Sequence, residues 1–112
     1  MRMQRHQVDL NEISRAIADL SDPLKIILMG SRARGTEKSS SDIDLLVVGE
    51  RPNHRTWSRR RHIGDLRRSL PKTDVPIDIL FFTPEEITHW QSSPNHVIYH
   101  ALREGSLLYE RA

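Results

Sequence analysis

Three aspartates stand where strand propensity does not favour them. Asp42 and Asp44 fall in the run Asp42-Ile43-Asp44-Leu45-Leu46-Val47-Val48, and Asp78 interrupts Val75-Pro76-Ile77-Asp78-Ile79-Leu80-Phe81-Phe82. Residues two apart in a strand share a face, so Asp42 and Asp44 project together. If the two strands are neighbours, all three carboxylates converge. Like charges that close raise one another's pKa unless a cation neutralises them. Divalent magnesium suits hard oxygen ligands and shares its shell readily with substrate phosphates. The three aspartates are therefore candidate metal-binding and catalytic residues. Asp42, which follows Ser41, could equally cap a strand end at the surface.

Upstream, Lys25-Ile26-Ile27-Leu28-Met29 stops at Gly30-Ser31. A glycine there lets backbone amides approach a phosphate, a serine hydroxyl adds a donor, and Arg32 and Arg34 carry charge to neutralise phosphate oxygens. Gly30, Ser31, Arg32 and Arg34 are thus candidate nucleotide-binding residues. A strand ending in Gly-Ser is by itself an ordinary turn. The conjunction of Gly-Ser, a ten-residue gap, Asp-x-Asp and a third strand aspartate is far more specific.

The elements that must position these residues follow from periodicity and punctuation. Val8 to Leu20 carries Val8, Ile13, Ala16, Ile17 and Leu20 at helical spacing and ends at Ser21-Asp22-Pro23. Strands are expected at 25–29, 42–48 and 75–82, with a loop or short helical turn over Arg32–Ser41. Residues 55–70 predict a helix with Trp57, Ile63, Leu66 and Leu70 inward and its arginines outward. Thr83-Pro84-Glu85-Glu86 opens another helix. A last helix is expected from Pro94 to Arg103, stopped by Gly105, and Leu107-Leu108-Tyr109 adds a short edge strand. The order gives an α/β (α+β) fold, a small mixed sheet with flanking helices.

At 112 residues the chain has the length of a single domain, 1–112. Apolar residues make up 37% and charged residues 29%, there is no cysteine, and no apolar run reaches membrane-spanning length. Disulfide frameworks, thiolate metal sites and thiol nucleophiles are excluded. With no secretory signal in the first residues, a cytoplasmic protein without membrane contact is expected. The net charge of +2 is unevenly spread: residues 51–68 hold seven arginines against Asp65 alone. That segment reads as a solvated helix face or a docking surface for an acidic partner. With Trp57 as its one aromatic, it does not favour direct nucleic-acid binding. His96 and His100 have a zinc-compatible spacing without a completing acid and read as a helix face. His6, His54, His62 and His89 form no constellation, and Trp57, Trp90 and Tyr99 read as core or interface residues.

The segments GSRARGTEKSSSDIDLLVV and VPIDILFFTPEEI resemble the minimal nucleotidyltransferases of the DNA polymerase beta superfamily. Within that branch the chain is most similar to the MntA antitoxins of HEPN–MNT toxin–antitoxin pairs. The resemblance covers about residues 20–90. It implies a polymerase-beta-like fold and transfer of AMP from ATP with two Mg²⁺ ions. Gly30 and Ser31 would hold the triphosphate, Asp42 and Asp44 would bind both metals, and Asp78 would complete the site. The short stretch after the third strand leaves little to hold an acceptor, which favours a protein acceptor: a HEPN RNase toxin modified on a tyrosine. A small-molecule (aminoglycoside-type) nucleotidyltransferase and a noncatalytic antitoxin acting by occlusion are the alternatives.

Overall fold

The computed structural model describes residues 9–38, 40–52 and 56–112; Val8, Ser39, His6, His54 and Arg55 lie outside them. The order is α1 (Leu10–Ser21), β1 (Lys25–Met29), α2 (Gly30–Arg34), β2 (Ile43–Val48), α3 (Arg59–Ser69), β3 (Ile77–Phe82), α4 (Pro84–Trp90), α5 (Val97–Glu104) and β4 (Ser106–Glu110). The strands form one mixed sheet in the order β3-β2-β1-β4. β1 is antiparallel to β2 and β4, and β2 is parallel to β3. A parallel pair needs a crossover, and α3 supplies it. Among the described residues no helix is long and apolar enough to cross a membrane.

Strand alternation sorts the side chains between two cores. Ile26, Leu28, Ile43, Leu45, Val47, Ile77, Ile79 and Phe81 pack with Ile13 and Ile17 of α1 and Leu66 of α3. On the other face Ile27, Leu46 and Val48 pack with Ile98 and Ala101 of α5, with Phe82 and Ile87 alongside. Each Val, Leu, Ile or Phe side chain among them contributes about 1.5–3 kcal/mol when fully buried. Asp44 and Asp78 share the second face by parity, beside a helix that covers only part of it.

The caps explain where several elements begin. Asp9 accepts from the Glu12 amide at the start of α1, and Asp22, left-handed at φ 46°, closes it. Ser58 caps α3 through the Arg61 amide. Thr83 and Glu86 form a reciprocal capping box on α4. Burial alone would raise the Glu86 pKa, but hydrogen bonds from Thr83 and Arg59 outweigh it and hold the carboxyl below its ordinary range.

Several expectations from the sequence need correction. Asp42 precedes β2 rather than lying in it, because the ladder starts where the Ile43 amide meets the Pro76 carbonyl at 2.9 Å. β3 starts at Ile77, after Pro76, which has no amide to donate. Gly30-Ser31 is the first turn of α2. Trp57 lies ahead of α3 yet still packs on the core. α5 starts at Val97 because the His96 ring nitrogen caps the Ile98 amide. Leu20 is 50% exposed and lines a surface hollow with His62, Asp65 and Arg68.

Gly105 ends α5 with φ −76°, so a left-handed conformation is not what it provides. The reason for glycine is space. A Cβ there would lie 2.3 Å from the Ala101 carbonyl and 2.5 Å from the Ile27 methyl. Gly105→Ala is expected to destabilise the fold by about 1–3 kcal/mol, the usual cost of overpacking, readable as a lower urea midpoint. His62 sits edge-on to Phe81 at 4.6 Å. Burial lowers its pKa from the ordinary 6.5, against an opposing pull from Asp65. Its contribution is therefore complete above pH 6.5 and is lost as the pH falls through the lowered folded value. His62→Phe should flatten that part of the stability–pH curve, measured by urea unfolding at a series of pH values.

Candidate active site

The register of the parallel pair sets Asp44 directly opposite Asp78. Across the antiparallel pair Asp44 faces Met29, the last residue of β1. Gly30 follows at φ +73°, and a Cβ on it would come within 2.7 Å of the Asp44 carboxylate. Conformation and space therefore both require glycine here. The Asp44 pKa is raised, first by burial, then by the charges of Asp78 and Asp42 and a hydrogen bond with Asp78. Asp78 is the more exposed of the pair, and Asp42 is exposed at the mouth of β2.

Asp44 and Asp78, without Asp42, line a cleft of about 590 Å³ that runs from Met29, Gly30 and Arg34 past the two carboxylates to Leu80 and the α5 residues Val97, His100 and Glu104. The cleft is an open groove whose lining combines aliphatic side chains with the Asp44 and Asp78 carboxylates, as small-molecule sites do. Arg34 reaches Glu104 across it at 3.9 Å.

The nucleotidyltransferase domain family matches residues 10–103. The chain belongs to that family. Among solved structures, a Sulfolobus solfataricus protein assigned as a nucleotidyltransferase aligns with a TM-score of 0.60 at 20% identity, over 90% of this chain and 77% of that one. A toxin–antitoxin structure with AMP-PNP aligns at 0.56 and 21% identity, over 93% and 75% of the two chains. A mutant MntA–HpeT toxin–antitoxin structure aligns at 0.58 and 21% identity, over 94% and 75%. These likenesses show a shared fold. No protein of curated function matches the sequence.

In this nucleotidyltransferase domain the sequence-predicted residues divide. Gly30, Arg34, Asp44 and Asp78 meet in the cleft. Ser31 lies in the first turn of α2, its carbonyl accepting from the Thr36 amide at 3.0 Å. Arg32 donates from Nε and Nη2 to the Ser41 carbonyl at 3.1 and 2.9 Å. That fork fixes the backbone just before Asp42, so Arg32 positions the acidic motif. His96 and His100 are engaged locally: the His96 ring stacks on Trp90 at 4.4 Å, and His100 Nε2 lies 2.8 Å from the Pro94 carbonyl.

Arg67 was not singled out by sequence reasoning, which placed every α3 arginine outward. Its Nη1 donates to the Ile77 carbonyl at 3.0 Å, and its Nη2 lies 3.6 Å from the Asp78 carboxylate. Glu104 and His100 were also missed as cleft residues. A long charged stem can carry its head round a sheet edge, which helical periodicity does not reveal.

Among the described residues no three acidic or imidazole groups form a ready-made metal cage. The donor set still fits magnesium, which is typically held by one or two carboxylates with substrate phosphates completing its shell. Burial first, and then the charges of Asp78 and Asp42, raise the Asp44 pKa, and a divalent cation would relieve the part that comes from those charges. Gly30→Ala should cost about 1 kcal/mol from the left-handed backbone alone and push the Asp44 carboxylate aside. Urea unfolding reads the first effect, and loss of Mn²⁺ binding by electron paramagnetic resonance reads the second.

Proposed function

We propose that this nucleotidyltransferase domain transfers AMP from ATP to a tyrosine hydroxyl of a cognate HEPN RNase toxin and thereby acts as its antitoxin. The observation that carries the reading is the side-by-side placement of Asp44 and Asp78 in an open cleft that begins at Gly30. The fold likeness to two toxin–antitoxin structures, one with AMP-PNP, supports the class of partner and of donor. A nucleotide donor and an RNase target fit the cytoplasm.

Asp44 and Asp78, with Asp42 at the mouth, would hold two Mg²⁺ ions. Bound magnesium supplies neutralisation of the triphosphate and a lower pKa for the attacking hydroxyl. The chain's own part is positioning. Gly30 keeps the floor of the cleft clear beside Asp44, the Ser31 hydroxyl and Arg34 meet phosphate oxygens, and Arg32 fixes the backbone ahead of Asp42. The acceptor oxygen bonds to the α-phosphorus as the bond from that phosphorus to the pyrophosphate oxygen breaks. The hydroxyl proton passes to a carboxylate, for which Asp78 is the better exposed.

The test is an intact-mass spectrum of the co-purified partner after incubation with ATP and Mg²⁺, wild type against Asp44→Asn. The expected outcome is adenylyl addition with wild type only, with Asp44→Asn folded and transfer reduced at least about 100-fold, as for loss of a principal electrostatic group. A partner that stays unmodified yet binds both forms would make the protein an occluding antitoxin instead. Adenylylation of an aminoglycoside by the isolated chain would turn the reading to small-molecule acceptors.

A further inference from the structure

Arg67 has an unusual position for an arginine of a surface helix. It belongs to α3, which packs on the face of the sheet opposite the carboxylates. β3 is an edge strand, and the Arg67 side chain reaches Ile77 and Asp78 there. One guanidinium nitrogen is anchored on the Ile77 carbonyl at 3.0 Å, and the other faces Asp78 Oδ1 at 3.6 Å. The backbone anchor keeps the charge at the cleft whether or not Asp78 stays beside it.

The rest of the cleft places further charges around that guanidinium. Asp78 lies level with Asp44, and the charges of Asp78 and Asp42 both act on Asp44. The other arginine lining the cleft, Arg34, is directed at Glu104. Among the described residues lining the cleft, Arg67 is thus the cation paired with Asp78.

We propose that Arg67 is the built-in counter-ion of the acidic site: it holds Asp78 while no metal is bound and gives up that carboxylate when a divalent cation enters. It is a positioning residue, acting through Asp78. The inference rests on the reading of Asp44 and Asp78 as divalent-cation ligands. It adds that the chain itself competes for one of them. The consequence has a sign that a merely structural role does not share. Removing the guanidinium leaves the carboxylates less neutralised, so a divalent cation binds more tightly, whereas loosening the site would weaken binding.

The experiment is a Mn²⁺ titration followed by electron paramagnetic resonance, without ATP or acceptor, on wild type, Arg67→Met, Arg67→Lys and Asp44→Asn. Arg67→Met is expected to bind Mn²⁺ about three- to tenfold more tightly, the scale of removing one unit charge a few ångströms away in a half-exposed site. Arg67→Lys, which keeps the charge, should stay close to wild type, and Asp44→Asn should lose the site. In the wild type the Arg67 side-chain Nε–H resonance should move as Mg²⁺ is added, a readout that needs no variant to fold. Unchanged or weaker binding by Arg67→Met, or a resonance that stays still, overturns the counter-ion role alone when Asp44→Asn still abolishes binding. Binding untouched by Asp44→Asn removes the metal site and the functional reading with it.

Discussion

Two carboxylates fixed level with each other on adjacent parallel strands repel, and the folded chain has to supply what holds them there. The ladder does most of this, since moving Asp44 away from Asp78 by one register step would turn every core residue of β2 to the wrong face. Ile43, Leu45 and Val47 are locked between α1, α3 and the neighbouring strands, while Leu46 and Val48 are locked beneath α5. The hydrophobic core on both faces therefore specifies a polar arrangement that is locally unfavourable. A locally unfavourable pairing held in place by the rest of the fold marks these two aspartates as candidates for function.

Three further features keep the arrangement usable. Gly30 leaves the Asp44 carboxylate in place by having no side chain of its own. Arg32, gripping the Ser41 carbonyl, fixes the end of the α2–β2 connection so that Asp42 arrives beside β2 from a set direction. Gly105 lets α5 turn sharply into β4 against Ile27 and Ala101. Since β4 pairs with β1, this turn also fixes how far α5 extends along the sheet. Where α5 leaves the face uncovered, Leu80 stays 36% exposed and the cleft opens.

The parts of this site legible in the sequence are those governed by short-range periodicity. A lone acid in an apolar strand announces its face by parity, so Asp44 and Asp78 could be paired once their strands were taken as neighbours. The Thr83 cap and β4 could be read the same way. What stayed illegible depends on contacts between distant residues. Asp42 falls outside β2 because of where Pro76 begins to accept hydrogen bonds. Arg32 finds a carbonyl nine residues along the chain. His96 lies four residues before His100, as on a helix, but its backbone is extended and it caps α5. Gly105 matches the expectation of a helix stop while serving through close packing and not through a left-handed turn.

The arginine-rich segment shows most clearly why composition underdetermines function. Seven arginines between 51 and 68 suggest one basic surface, but the fold gives four of them separate partners. Arg59 donates to the Phe81 carbonyl and pairs with Glu86, tying α3 to the start of α4. Arg67 turns into the cleft, Arg68 pairs with Asp65 along the helix, and Arg51 lies over the Trp57 ring at 5.0 Å. Trp57 is itself half-buried against the core. Within a stretch that reads as polybasic, Arg59 and Arg67 serve as individual tethers from α3 to β3 and α4. Arginine suits this work because its planar fork can hold a carbonyl with one nitrogen and a carboxylate with another, as Arg59 and Arg67 both do. Two charges of the segment, those of Arg59 and Arg67, are thus held at Glu86 and Asp78, and one of them reaches the site from the helix that joins its two aspartate strands.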